Sequence, residues 1–370
     1  MADRIFYACQ AVFFSCPKTG VTDNFLNGVQ SISVRNTLDN IPINDNGRAQ
    51  SISLYTEPQN EITIERVFSN LDGILTNNYL TPANYSQGHI LNPSNLGVAC
   101  TGNPSTDLSE YSIKLAYSDP LSETAQGTAL DIVTYYKALL TSLSYEFSVG
   151  SVFKESITFS NKITNKEVSN AIPVTSLPIY LGGTKTTNLE VLRRSNFDLV
   201  NSVLPTSVNT IAKLGDFKSG QEIYGITSIK VDLSIDYERM KDTGKWRGSD
   251  VQSQVNLWTT VKLPLSISCS FTVTGRREYA NSILNSDKNF LPQRIVLVIK
   301  TMDPVTRAAK YKVVDLGTKN YLNSLEKSGG STSGDNLEFT LQYKNTNNDF
   351  STYDRSDTNI NSLMQTTEIY

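Results

Sequence analysis

Gly28-Val29-Gln30-Ser31-Ile32-Ser33-Val34 returns 197 residues later as Gly225-Ile226-Thr227-Ser228-Ile229-Lys230-Val231. Asp45-Asn46-Gly47 follows the first copy at the distance at which Asp242-Thr243-Gly244 follows the second. Each copy then leads into a further alternating stretch, Ile62-Thr63-Ile64 in one and Leu265-Ser266-Ile267 in the other. Alternation of apolar and polar residues marks a half-buried strand. A strand, a turn and a second strand written twice at domain spacing predict two copies of one β-module.

Working outward, most of the chain carries the same period of two. Residues 5–14 are apolar and aromatic, and Ile52 and Leu54 fall on one side of 51–55. In 61–68, Ile62 and Ile64 share one face with Glu61, Thr63 and Glu65 opposite. In 28–34, strict alternation puts Val29 with Ser31 and Ser33, and Ile32 and Val34 with Gln30. Leu143, Tyr145 and Phe147, a turn at Gly150, then Phe153, Ile157 and Phe159 predict a hairpin. The second half repeats the style in 189–199, 225–235, 263–273, 294–301, 311–316 and 337–343. In 225–235 the spacing sets Asp232, Ser234 and Asp236 opposite Val231, Leu233 and Ile235. Helix signals are few, and only 129–140 and 276–284 predict short helices. Residues 77–107, rich in Asn, Pro, Ser, Thr and Gly, predict a long surface excursion. The polar stretch 161–174 predicts a linker between modules of 1–165 and 166–370, and the polar residues after Asn345 predict a C-terminal arm.

Composition narrows the function. Hydrophobic residues are 39% and charged residues 19%, as in a globular protein with a polar surface, and 370 residues suffice for two cores. A formal charge of −3 and a pI near 5.4 argue against a protein that grips nucleic acid through phosphates. Cys9, Cys16, Cys100 and Cys269 lack metal-ligand or redox spacing, so the expectation is small side chains in a reducing compartment. Met1-Ala2-Asp3-Arg4 precedes Ile5 without the basic start and apolar run of a signal peptide. The apolar run 295–299 is far too short to span a bilayer.

No constellation for catalysis emerges. The single histidine, His89, has no Gly-x-Ser-x-Gly elbow to work with. Gly182-Gly183-Thr184-Lys185 lacks the upstream glycine of a phosphate loop, and 329–334 suits a flexible turn. Arg193-Arg194 and Arg276-Arg277 suit surface salt bridges. The expectation is no catalytic residue, no cofactor and no metal. Two loops stand out instead. Leu38, Ile41 and Ile43 lie between Val34 and Ser51, where neither strand needs so long a connection, and 236–252 is the counterpart around Trp246. Exposed apolar residues on such loops suggest contact with a partner.

Four stretches carry a resemblance. They are Ile5-Phe6-Tyr7-Ala8-Cys9-Gln10-Ala11-Val12 followed by 28–34; the hairpin around Gly150; Arg193-Arg194-Ser195-Asn196-Phe197-Asp198-Leu199 with Leu204-Pro205; and Asp315-Leu316-Gly317-Thr318-Lys319-Asn320-Tyr321-Leu322 running on to 337–343. In these the chain resembles the tail tube proteins of double-stranded-DNA bacteriophages, most of all a type with a duplicated module. The resemblance implies a mainly β chain of two homologous β-sandwich modules with short helices and long loops. It implies stacked rings of six modules, built as trimers with pseudo-sixfold symmetry or as hexamers, that conduct DNA without binding it specifically. Leu38, Ile41, Ile43 and Trp246 would then serve contacts between rings, and Glu61, Glu65, Asp232 and Asp236 would face the channel. The partners would be other copies and other tail proteins, with no membrane anchor, and assembly would take place in the host cytoplasm to give a virion tail. The long 77–107 excursion and the loop around Trp246 depart from the family pattern. The alternatives are a neck, tail-terminator or capsid-decorating protein, a carbohydrate- or receptor-binding β-sandwich, or a β-rich hydrolase with paired carboxylates.

Overall fold

β-Branched and aromatic residues at alternate positions favour extended backbone, and every regular element of the computed structural model is a β-strand among the residues it describes. These are residues 10–16, 21–26, 28–37, 40–44, 51–55, 59–68, 111–117, 131–162, 166–169, 197–200, 224–241, 256–262, 265–275, 292, 295–302, 309–317, 319–328, 338–345 and 351–355. The expected excursion at 77–107 and the expected helix at 276–284 lie outside them. The strands of the first half are β1 (Gln10–Cys16), β2 (Val21–Phe25), β3 (Val29–Thr37), β4 (Asn40–Asn44), β5 (Ser51–Tyr55), β6 (Gln59–Val67), β7 (Tyr111–Tyr117), β8 (Asp131–Ser148), β9 (Lys154–Lys162) and β10 (Lys166–Ser169). The second half supplies β11 (Phe197–Val200), β12 (Tyr224–Ser234), β13 (Tyr237–Lys241), β14 (Asn256–Val261), β15 (Ser266–Gly275), β16 (Val296–Met302), β17 (Ala309–Asp315), β18 (Tyr321–Ser328), β19 (Glu338–Asn345) and β20 (Ser351–Arg355).

The chain divides into two compact units. One comprises 1–66, 110–141 and 156–187, the other 67–109, 142–155 and 188–370. In the first unit, β2, β1, β7 and the start of β8 pair in that order, and β10 lies on the far side of β8. β3 pairs with β6, β6 with β9, and β9 returns beside β8 as the expected hairpin. β1 and β9 are therefore three strands apart in the ladder, which on a flat sheet would separate them by about 14 Å. Yet the Phe14 and Phe159 rings lie 5.5 Å apart, with Tyr111 5.4 and 5.6 Å from them. The sheet must curl so that β1 and β9 face each other across a core, which is a sandwich-like layout.

The second unit holds the end of β8, then β12, β15, β19 and β18, all antiparallel. Its core consists of cross-strand rows. Phe147, Ile229, Phe271 and Leu341 stand opposite one another, as do Tyr145, Val231, Cys269 and Tyr343. All eight are buried. Phe68 adds its ring beside Tyr145 and Phe147, and Phe153 meets Phe147 edge-on at 5.1 Å. A separate sheet in the order β11-β16-β17-β20 buries Leu297, Ile299, Val313 and Val314.

Three expectations need correction, each for a physical reason. The helix expected over 129–140 is not formed at 131–140, because 131–148 form one long strand. Its register slips between Tyr111↔Ala138 and Ile113↔Tyr135, and Lys137 takes φ 54°. This β-bulge leaves Tyr136 and Lys137 both outward and returns Tyr135 and Ala138 to the core. Buried residues three apart then imitate helical spacing in the sequence. The linker 161–174 contains strand β10, and Asn161 itself is buried in β9. In β3, Gln30 is the extra residue of a bulge between Val29↔Arg66 and Ser31↔Glu65. Val29 therefore joins Ile32 and Val34 on the half-buried face, not Ser31 and Ser33.

The two halves share an order of strands. β1-β7-β8-β10 in the first corresponds to β11-β16-β17-β20 in the second, and β3-β6-β9-β8 to β12-β15-β19-β18. Two of their irregularities coincide as well. β12 slips between Ile226 and Ser228, the positions that match Val29 and Ser31 of β3. Positive φ occurs at Lys137 in β8 and at Gly317 between β17 and β18. Such a φ turns the preceding peptide out of the ladder, so its carbonyl needs another donor. Buried Asn161 donates Nδ2 to Tyr136 O at 3.2 Å, and buried Asn345 donates Nδ2 to Leu316 O.

Candidate functional site

Opposite the core rows, the sheet of the second unit carries short hydroxyls. One row is Ser148, Ser228, Thr272, Thr340 and Glu326. The next is Glu146, Lys230, Ser270, Gln342 and Ser324, and a third runs Ser144, Asp232, Ser268 and Lys344. Asp232 is half-exposed and held on two sides. Ser144 Oγ donates to its Oδ1 at 2.7 Å, and Lys230 Nζ lies 3.0 Å from the same oxygen. The pair is too exposed to stabilise the fold by more than about 1 kcal/mol, but it offsets the charge locally. Asp236 is exposed just beyond β12, and its carbonyl accepts from Lys262 N at 2.8 Å.

The first unit presents a similar face on β3, β6 and β9. Ser31, Ser33 and Arg35 stand opposite Glu65, Thr63 and Glu61. Glu61 and Glu65 are exposed while Ile62 and Ile64 between them are buried, as alternation predicts. Ser31 Oγ donates to Glu65 Oε2 at 2.9 Å, and the hydroxyls of Thr63 and Thr158 meet at 3.2 Å. Among the four carboxylates expected to share a surface, Glu61 and Glu65 lie together on β6, and Asp232 and Asp236 lie at the end of β12. Both faces are dense in hydroxyls and sparse in Lys and Arg. That chemistry gives a polyanion few cations to hold it.

The two connections expected as loops are partly hairpins. β4 pairs with β5, setting Ile41 opposite Leu54 and Ile43 opposite Ile52 in backbone register, and β13 pairs with β14. Each arm extends a strand pair, β3 with β6 or β12 with β15. Leu38 and Trp246 lie outside the described residues, as does His89.

Sequence reasoning missed β18. Its register slips between Leu322 and Ser324, which breaks the alternation that would have revealed it. Among the described residues β18 pairs only with β19, and β3 only with β6. β18 is solvated along most of its length, with Tyr321 49% exposed at its start. Two strand edges are therefore open within the described chain, and open edges are templates for pairing with another strand.

Burial pushes the Cys269 thiol well above its ordinary 9.0, and the Asp232 carboxylate raises it further. Tyr343 is pushed above its ordinary 10.0, again by burial first and then by Cys269. Both groups stay neutral in the fold while the unfolded chain ionises, so their stabilisation is complete at neutral pH and is lost as pH rises. The melting temperature should therefore hold below pH 9 and fall above it, and Cys269→Val should shallow the decline that begins near pH 9. A melting temperature unchanged up to pH 11 would refute this. Among the described residues, no three His, Cys, Asp or Glu side chains gather as a metal group would need, and no helix is long and apolar enough to cross a membrane. No protein-family model matches the chain, and no curated protein matches it either.

Proposed function

We propose that the chain is a structural subunit of a bacteriophage tail tube, built from two homologous β-modules and assembling with copies of itself into stacked rings around a DNA channel. The observation that carries this reading is the repeated strand order, β3-β6-β9-β8 and β12-β15-β19-β18, each with one hydroxyl-rich face and, among the described residues, with an open edge at β3 and at β18. A protein that works by repetition needs complementary edges, and a channel that lets DNA slide needs a wall without clustered cations. Glu61, Glu65, Asp232 and Asp236 supply carboxylates to that wall, while the serines and threonines supply neutral polar surface. The arms β4–β5 and β13–β14 would contact the next ring. In this reading the protein has no catalytic role and no cofactor, its partners are its own copies and other tail proteins, and it resides in the virion tail after assembly in the host cytoplasm.

Negative-stain microscopy of the purified protein tests the reading. Hollow tubes or stacked rings are expected. The double variant Ile41→Asp/Ile43→Asp should stay folded and form single rings that no longer stack. Dispersed particles at every concentration would overturn the reading, whereas variant tubes of normal length would remove only the arm from the stacking contact.

A further inference from the structure

We propose that β18 of one chain pairs antiparallel with β3 of a second copy, in the register that β8 and β12 already adopt within the chain. The inference rests on the self-assembly proposed above and names its contact.

Among the described residues one joint links the repeated strand sets, where the end of β8 lies along β12. There Leu143 stands opposite Leu233, Ser144 opposite Asp232 and Tyr145 opposite Val231. β12 corresponds to β3 through the repeated sequence, through partners β15 and β6, and through the bulge at Thr227 and Gln30. The end of β8 corresponds to β18 on three grounds. Each is the strand beyond β9 or β19 in its set. Each follows a positive φ whose preceding carbonyl accepts from a buried asparagine, Asn161 or Asn345. Each carries a Ser-Leu pair, Ser142-Leu143 or Ser324-Leu325, with Leu325 opposite the buried Leu341.

In the chain, β12 therefore has a neighbour on both sides, while β3 has one among the described residues. The strand that would fill the vacant side of β3 is the counterpart of β8, which is β18. Carrying the joint's register across puts Arg35 opposite Glu326, Asn36 opposite Leu325, Val34 opposite Lys327 and Ser33 opposite Ser328. Arg35 and Glu326 are both exposed and of opposite charge. They take the places of Asp232 and Ser144, whose hydrogen bond crosses the internal joint. The joint inside the chain is thus a template for the joint between chains, with an ion pair replacing a hydroxyl-to-carboxylate bond. Because the two edges differ, the contact is heterologous and propagates into a ring or a filament.

Charge exchange tests the register. Glu326→Arg should weaken assembly about tenfold per contact, since like charges would face each other across the strands, and Arg35→Glu should do so at least as much, because it also faces Glu61 within its own chain. Arg35→Glu/Glu326→Arg should restore the sedimenting fraction, and far-ultraviolet circular dichroism with thermal melting should show all three variants folded. Ser33→Cys/Ser328→Cys should yield disulfide-linked oligomers on oxidation of assembled protein, and Ser33→Cys/Ser324→Cys should not. Single reversals that assemble like the wild type, a double variant no better than the singles, or no link through Ser33→Cys/Ser328→Cys would overturn this contact while leaving self-assembly standing. A wild-type protein that stays monomeric would overturn both.

Discussion

Phe147→Ala should cost about 3–5 kcal/mol of unfolding free energy, among the largest losses any single substitution can produce in this chain. Phe147 is fully buried, with the rings of Phe68, Tyr145 and Phe153 at 5.9, 6.4 and 5.1 Å. It also opens the row that continues through Ile229, Phe271 and Leu341. Removing the ring forfeits its transfer from water and leaves a cavity that four neighbouring strands cannot close without breaking their ladders. Beyond area, aromatic pairs in tilted and edge-on geometry contribute about 0.5–1.5 kcal/mol each. Urea unfolding followed by circular dichroism should show the transition shifted to lower denaturant with its slope kept, and Phe147→Leu should recover most of the loss. A shift of less than 1 kcal/mol would mean that the row is not packed as described.

How much of this was legible in the sequence depends on whether strands stayed in phase. β6, the hairpin of β8 with β9, and β12 alternate without interruption over their informative stretches. For them the buried residues, and the outward placement of Glu61, Glu65 and Asp236, followed from spacing alone. Three misreadings fall where an extra residue shifts the phase. The bulge at Lys137 turned a strand into an apparent helix, the one at Gln30 moved Val29 to the other face, and the slip after Leu322 hid β18. Polar strands were missed for a different reason. β10 and β20 are short and rich in charged and hydroxyl residues, so only their pairing with β8 and β17 makes them strands. The openness of β3 and β18 among the described residues could not be read at all, because an edge is defined by a partner far away in sequence. The sequence repeat pairs β3 with β12, and both strands slip in register at the corresponding positions, Gln30 and Thr227. The offset of Asp232 by Lys230 was available in principle, since residues two apart on a strand share a face.

The largest expected consequence concerns the count of chains in a ring, for which three are expected. Each chain supplies two four-stranded sets and already makes one joint between them, β8 with β12. If β18 and β3 make the same joint between chains, every step around the ring is equivalent in register, whether it is covalently linked or not. A heterologous contact closes when its equal rotations sum to a full turn. Six modules of the tube type then need three chains, and the assembly has threefold symmetry with a pseudo-sixfold wall. Having one joint in every two prefabricated also favours nucleation, since a contact made within one chain forms at an effective concentration in the millimolar range. The symmetry should nevertheless be imperfect in a definite way. Three joints would carry Ser144 against Asp232 and three Arg35 against Glu326, so high salt should weaken the second kind alone and release whole chains, not half-rings. Mass photometry of rings should find three times 40.9 kDa, about 123 kDa, and end-on class averages should show threefold differences at the outer edge of a sixfold channel. Six identical subunits around the channel, at twice that mass, would refute the trimer and would mean that the second strand set lies outside the wall.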